Sequence, residues 1–567
     1  MFRIVALVGV MVFQGLVFSD ILAQELNPGA IDAGLLSEIR NSQEKAFHEV
    51  FIVLKDRVDT EAFAADFLRS SDSRAQQAAR MIGALQTKAK ITQAPVLEHI
   101  RMSRDADQNQ VISYWIANMV FVRAKKALIA ELSQRADVSW IEKNEILEHE
   151  GATVAAPPAP LVPNGREPGL TAINAPALWA LGYTGYGRKI LIVDSGQDPN
   201  HPALQSQFAY NYLPLTSTYL SSSLPDYCDP HGTGVASAAV GMDPLTRDTL
   251  GVAFNAQWIG APISNLQNTE TDERCIYKGS VKDVAGALQW ALNPDGNTST
   301  NDVPDVINNS YGRTLSSVSE CSQVWPNLFK ALDAAGVVVV FAAGNEGPDA
   351  GSTNLQASIS VNDVTPLSVG AINTSTRAVA DFSGRGPSLC SNFLEPALDI
   401  KPEVVAPGVR IRVATTGKAI YETVDGTSFA APYVAGAVLL LKEAFPYLSG
   451  REIARALYQS AIDLGTAGED NAYGKGLIDV LAAFNYLKGK GYQPVPPADT
   501  QVDVANLGAT PRLLNCGGKA FLEVVFRNLG TETVTSLDVV VRRNLPLPPS
   551  LRASGPGLWR RAARLLI

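Results

Sequence analysis

Hydrophobic and polar positions divide the chain into three patterned regions. Between residues 45 and 150 the β-rich run Val50-Phe51-Ile52-Val53-Leu54 precedes two long stretches of helical spacing. Val111 to Ile116 and Met119 to Val122 then read as paired strands or one broken strand. Lys125 to Ala136 returns to helical spacing, with Ala127, Leu128, Ile129 and Leu132 apolar, and Val138-Ser139-Trp140-Ile141 closes the pattern as a strand. A small α+β domain is the reading. From 169 to 490 the pattern alternates. Buried strands at Lys189 to Val193, within Gly251 to Ile263, at Val306-Ile307 and at Val337 to Phe341 are separated by helices at Val281 to Leu292 and near Trp325 to Ala335. Continuous apolar strands between helices predict an α/β fold, a parallel sheet with helices on both faces, whose functional groups collect at the carboxyl ends of the strands. From 498 to 567, alternating runs such as Phe521 to Phe526 and Leu537 to Val541 predict a short β-sandwich segment, incomplete against the roughly 100 residues of a full sandwich.

The boundaries are Pro-rich. Residues 151–168 hold Ala155-Ala156-Pro157-Pro158-Ala159-Pro160, a composition that suits an extended, exposed linker open to proteolysis, and Pro494-Val495-Pro496-Pro497 forms a second one. Residues 1–23 read as a cleaved export signal, with Arg3 as the charged start, Ile4 to Phe18 as the apolar stretch and Ala23 before the cut.

Composition narrows the partners. The 567 residues exceed one core, and 46% apolar with 18% charged residues describes a globular protein. A net charge of −9 with no dense basic patch excludes a nucleic-acid binder, and after removal of the signal no segment predicts a membrane span. Five cysteines, Cys228, Cys275, Cys321, Cys390 and Cys516, permit disulfides in an exported chain, with pairing expected among the first four, and lack zinc-site spacing.

Four stretches carry candidate chemistry. In Gly426-Thr427-Ser428-Phe429-Ala430-Ala431-Pro432, proline belongs in the first turn of a helix, so the helix through the small-residue run Tyr433 to Leu441 starts close to Ser428. Unpaired N–H groups there favour a nucleophile that generates an oxyanion, though for a serine before a helix a plain cap is the ordinary reading, which the other stretches must overturn. Asp194, in Val193-Asp194-Ser195-Gly196, follows the first buried strand and reads either as an acid partner or as a strand-end cap. His231, in Asp229-Pro230-His231-Gly232-Thr233-Gly234, is the better base of two in the α/β domain, His201 being read as a turn residue. The alternative for His231 is a hydrogen-bonded core histidine. Asn345, in Ala343-Gly344-Asn345-Glu346-Gly347, ends the most apolar strand and is either an oxyanion donor or a left-handed turn residue.

Together, in this order, the four stretches resemble the subtilase family of serine peptidases, whose Asp, His, Ser chain order is that of the subtilisin arrangement. The resemblance spans roughly Gly169 to Leu487. It implies a catalytic triad of Asp194, His231 and Ser428 and an oxyanion donor at Asn345. It further implies a substrate-binding strand containing Ser310, Tyr311 and Gly312, and a pocket with Ala342, Ala343 and Gly344. Residues 45–150 resemble subtilase propeptides of the bacillopeptidase F type, which implies an inhibitory segment. The expectation is a secreted serine endopeptidase made as a precursor, acting on protein or peptide substrates and bound by its own propeptide. The alternative is a catalytically silent binding protein of the same fold. No cofactor is needed for the chemistry and no metal ligand is assigned. Structural calcium, common in the family, finds no ligand pattern in the loop Met242 to Leu250. Pro230, Gly234, Ser237 and Gln197 depart from the family pattern without removing a catalytic group.

Overall fold

The computed structural model describes residues 26–67, 70–148, 153–156, 165–211, 213–220, 230–263, 278–300, 302–315, 321–390, 396–416, 421–497, 504–512, 521–528 and 563–566. The expected export signal at residues 1–23, Cys228, Cys275, Cys516 and Leu537 to Val541 lie outside them.

The N-terminal unit runs α1 (Ala33–Asn41), β1 (Phe47–Leu54), α2 (Thr60–Phe67), α3 (Arg74–Thr92), α4 (Ala94–Met102), β2 (Ala106–Tyr114), β3 (Met119–Lys125), α5 (Lys126–Ser133) and β4 (Val138–Lys143). Its antiparallel sheet has the order β2-β3-β1-β4. Trp115 to Asn118 form the turn between β2 and β3, so the broken apolar pattern there is a hairpin. Period-two alternation splits the sheet into two faces. Val50, Ile52, Val120 and Val122 pack with Leu35 and Ile39 of α1 and with α4 and α5, so α1, ahead of residue 45, belongs to the same core. Phe51, Val53, Met119 and Phe121 instead join an apolar cluster shared with the α/β unit.

Two short strands lead out of this unit, β5 (Ile146–Glu148) and β6 (Thr153–Ala156), the second within the expected linker. The α/β unit then follows as α6 (Pro168–Ala172), α7 (Ala175–Ala180), β7 (Lys189–Asp194), α8 (Pro202–Gln205), α9 (His231–Val240), β8 (Gln257–Pro262), β9 (Lys278–Ser280), α10 (Val281–Ala291), β10 (Val306–Asn309), α11 (Val324–Ala334), β11 (Val338–Ala342), α12 (Leu355–Ser358), β12 (Leu367–Ile372), β13 (Val404–Pro407), β14 (Ile411–Ala414), β15 (Tyr421–Asp425), α13 (Thr427–Ala444), α14 (Gly450–Gln459) and α15 (Val480–Gly489). Its six-stranded sheet has the order β13-β12-β11-β10-β7-β8, and every pairing is parallel.

Alternation explains how one apolar strand serves two layers. Ile190, Ile192, Val306, Val338 and Val340 pack towards α9 and α13, whereas Leu191, Val193, Ile307, Val339 and Phe341 face α10, α11 and the N-terminal unit. All eighteen residues of α13 are buried, and fully burying each Val or Leu among them contributes roughly 1.5–3 kcal/mol.

The two units are joined by specific contacts. Tyr114 donates its hydroxyl to Lys282 O at 2.7 Å, and Gln289 Oε1 receives the Trp115 N–H at 2.6 Å. The buried Glu142 carboxylate accepts from Ser322 Oγ at 2.5 Å and the Gln323 N–H at 2.8 Å at the start of α11. β5 pairs antiparallel with β9, and β6 with β15, which runs straight into Gly426 and Ser428. A disulfide links Cys321 to Cys390.

At the C-terminal end, β16 (Val504–Arg512), β17 (Phe521–Asn528) and β18 (Ala563–Leu566) form a three-stranded antiparallel sheet. Among the described residues no helix is long and apolar enough to cross a membrane.

Candidate active site

Asp194 is the last residue of β7, and His231 is the first of α9. Their side chains meet, Asp194 Oδ1 lying 2.8 Å from His231 Nδ1. Both are buried, with side-chain exposures of 0% and 2%. The same Oδ1 accepts the Ser195 N–H at 2.7 Å. A carboxylate only accepts, so the imidazole proton sits on Nδ1 and Nε2 is the basic nitrogen.

The backbone around the pair is interlocked. Ser195 Oγ accepts the Gly232 N–H at 2.9 Å, and Thr233 Oγ1 accepts the Asp198 N–H at 2.9 Å. A Cβ on Gly232 would lie 2.2 Å from Gly196 O, so only glycine permits this approach. His201 lies in a turn as expected, its N–H donating to Asp198 O at 3.3 Å, but its burial was not foreseen. It is fully buried, caps α8 by accepting the Ala203 N–H on Nδ1 at 3.1 Å, and sets its ring edge-on to Tyr421.

Ser428 is the second residue of α13 and is 5% exposed. Pro432 therefore sits deeper than the first turn. Having no N–H, it leaves Ser428 O without its helical donor, and Ser310 Oγ supplies one at 2.8 Å. In return Ser428 Oγ lies 3.4 Å from Ser310 O. The end of β10 and the start of α13 are thus tied together, and the Ser428 N–H, in the first turn, has no intrahelical acceptor. The His231 ring stands 5.3 Å from that of Phe429, the next residue of α13.

Asn345 completes the group. Its Oδ1 accepts the Thr427 N–H at 3.0 Å and Thr427 Oγ1 at 2.9 Å. With the oxygen end so used, the NH₂ end is the donor available to the cavity that Asn345 and Ser428 both line. The left-handed conformation in this turn belongs to Gly344, at φ 107°, and not to Asn345.

This cavity, about 350 Å³, is lined by Ser310, Tyr311, Gly312, Ala342, Gly344 and Asn345 among others. Ala343 is not among the lining residues. It is buried behind them, its N–H on Val369 O and its O receiving the Asn354 N–H. Tyr311 donates its hydroxyl to Asn309 Oδ1 at 2.7 Å, and burial holds it well above its ordinary pKa. Asn354, Arg313 and Thr427 were not expected to line it, and of the three only Thr427 lies in one of the four motif stretches. Thr427 alone offered a signal, as the residue beside Ser428. A larger cavity, about 420 Å³ between α3 and α14, carries no such constellation, because its Arg74, Arg451 and Arg455 are spent on Glu452, Asp333 and Asp363.

In the loop Met242 to Leu250 the carboxylates are already engaged. Asp243 accepts from the Leu245 and Thr246 N–H groups and from Tyr421 Oη, and Asp248 is paired with Arg412. Among the described residues no cluster of three or more His, Cys, Asp or Glu is placed to hold a metal ion.

Comparison with known proteins gives a match to the subtilase family over residues 185–476. The chain belongs to the subtilase family. The match contains His231, Asn345 and Ser428 and the whole six-stranded sheet. Bacillopeptidase F of Bacillus subtilis (strain 168) is 28% identical over 492 residues, covering 80% of this chain and 32% of that protein. Subtilisin E of the same organism is 30% identical over 356 residues, covering 63% and 77%. The subtilisin of Bacillus pumilus is 32% identical over 316 residues, covering 56% and 97%. The subtilase described here thus spans about a third of bacillopeptidase F and nearly all of the Bacillus pumilus enzyme. These relatives are serine endopeptidases.

Proposed function

We propose that the protein is a secreted serine endopeptidase made as a precursor inhibited by its N-terminal unit. Ser428 Oγ attacks the peptide carbonyl, and His231 Nε2 takes its proton and later returns it to the leaving amine. Asp194 holds the tautomer and stabilises the imidazolium. The oxyanion is met by the Asn345 amide and the Ser428 N–H, and water then resolves the acyl-enzyme. The observation that carries this reading is that a buried Asp194–His231 pair stands against Phe429, the neighbour of Ser428, while Ser428 and Asn345 line one cavity. A silent binding protein of the same fold has no need for a buried Asp-His pair.

The inhibitory role rests on placement. Residues of the N-terminal unit cover α10 and α11, β5 occupies the edge of β9 beside the cavity, and Ile146 lines the cavity itself. A strand laid on a free edge is how extended peptides are held. Export is supported by the charged and apolar start of the chain, and the disulfide accords with it. The test is to express the wild type and Ser428→Ala side by side and follow intact mass. Conversion of the wild type to a shorter form, with the variant remaining full length, is expected, whereas equal processing of both contradicts self-activation.

A further inference from the structure

β5 lies on the α/β unit as an extended peptide would. Its backbone pairs with β9 in the register Ile146 with Ser280, Leu147 with Gly279 and Glu148 with Lys278. Leu147 is 2% exposed and joins the apolar cluster that includes Ile263, Val281 and Tyr311, while Ile146 is 48% exposed at the cavity. Two residues ahead of Leu147, the Glu145 carboxylate receives Arg313 Nη1 at 2.9 Å. Glu145 O accepts the Val281 N–H at 3.0 Å, which holds the residue in line with β5.

Arg313 is part of the α/β unit. It follows directly on Ser310, Tyr311 and Gly312, and its N–H donates to Gln356 Oε1 at 3.1 Å, so its backbone position does not depend on the N-terminal unit. Its side chain is 27% exposed and lines the same cavity as Ser428. Departure of the N-terminal unit takes Glu145 away and leaves a guanidinium beside the groove that β5 had filled. Guanidinium is always charged and matches a carboxylate in shape.

We propose that Arg313 is a specificity-determining residue, selecting substrates with a carboxylate two residues before the apolar side chain that takes the place of Leu147. The proposal rests on the endopeptidase reading above and adds a substrate class to it, acidic-x-leucine on the acyl side of the cut. A partly exposed pair of this kind corresponds to a preference of about two- to five-fold. The contact is made with a substrate side chain that does not react and is equally present before and during the reaction, so the preference falls mainly on KM. Salt screens it.

The test uses the processed enzyme and internally quenched peptides spanning residues 144–155 of this chain, with Glu, Gln or Lys at the place of Glu145. The wild type is expected to favour Glu over Gln about two- to five-fold in kcat/KM, with Lys lowest and the spread shrinking in about 0.5 M salt. Arg313→Gln brings the Glu to Gln ratio to about one, and Arg313→Glu reverses it in favour of Lys. A wild-type ratio near one, or an unchanged ratio in Arg313→Gln, overturns the proposal. So does cleavage of casein with none of the three peptides cut. Failure to cut casein as well overturns instead the endopeptidase reading on which it rests.

Discussion

Asp194 and His231, 37 residues apart in the chain, meet with Oδ1 2.8 Å from Nδ1 and with neither side chain more than 2% exposed. The pair sets which imidazole nitrogen is basic. Asp194→Asn keeps the shape but offers an amide that donates as readily as it accepts. The expected outcome is a fall in kcat of about 10⁴-fold with the fold intact, read from peptide hydrolysis alongside circular dichroism.

Asn345 has two tasks that separate by substitution. Its oxygen holds Thr427, and its NH₂ end is assigned to the oxyanion. Asn345→Asp keeps an oxygen for Thr427 and removes the donor. A loss in kcat of at least about 10²- to 10³-fold is expected with KM little changed. Steady-state kinetics on one peptide substrate decides it.

Gly232 has no room for a side chain. A Cβ would meet Gly196 O at 2.2 Å and Asp194 Oδ1 at 3.1 Å, so Gly232→Ala pushes apart the turn after β7 and the start of α9. The expected cost is about 1–3 kcal/mol of stability, measured by denaturant unfolding, together with loss of hydrolysis from the displaced Asp-His pair.

Much of the architecture was legible because its signals are local. Lys189 to Val193 and Val337 to Phe341 are apolar on both faces, and both are central parallel strands. The four motif residues sit at strand or helix ends because glycine and small residues mark those ends in the sequence. What was not legible depends on contacts across long separations. Ser310 replaces the donor that Pro432 lacks from 122 positions away. Thr427 orients Asn345, and Glu145 meets Arg313, with nothing in the spacing to announce either. His201 looked like a turn residue from its Asn-His-Pro setting. Its burial against Tyr421 comes from a segment more than two hundred residues later. Part of the Pro-rich linker is a strand, because β15 offers it an edge.

The contact between the two units is expected to depend on pH through Glu142. Burial at the start of α11 raises its carboxyl from 4.5 to about 7, outweighing the Ser322 and Gln323 donors, and Glu145 and Asp32 add repulsion in the same direction. The docked carboxyl therefore binds its proton more tightly than the released one. Its contribution to docking is full below about 4.5 and is lost as the pH rises through about 7. Ser428→Ala protein, nicked in the linker by an added protease, should release its N-terminal unit more readily at about pH 8 than at about pH 5 on size exclusion. Glu142→Gln should flatten that difference.

The central claim is that Ser428 is a nucleophile activated by His231 and Asp194. Reaction of the processed wild-type enzyme with a fluorophosphonate probe, followed by peptide mapping, tests it most directly. A single adduct on the peptide containing Ser428, absent from Asp194→Asn and Ser428→Ala enzyme on the same timescale, is the predicted result. Labelling that persists in Ser428→Ala, or that maps to another residue, would contradict the assignment.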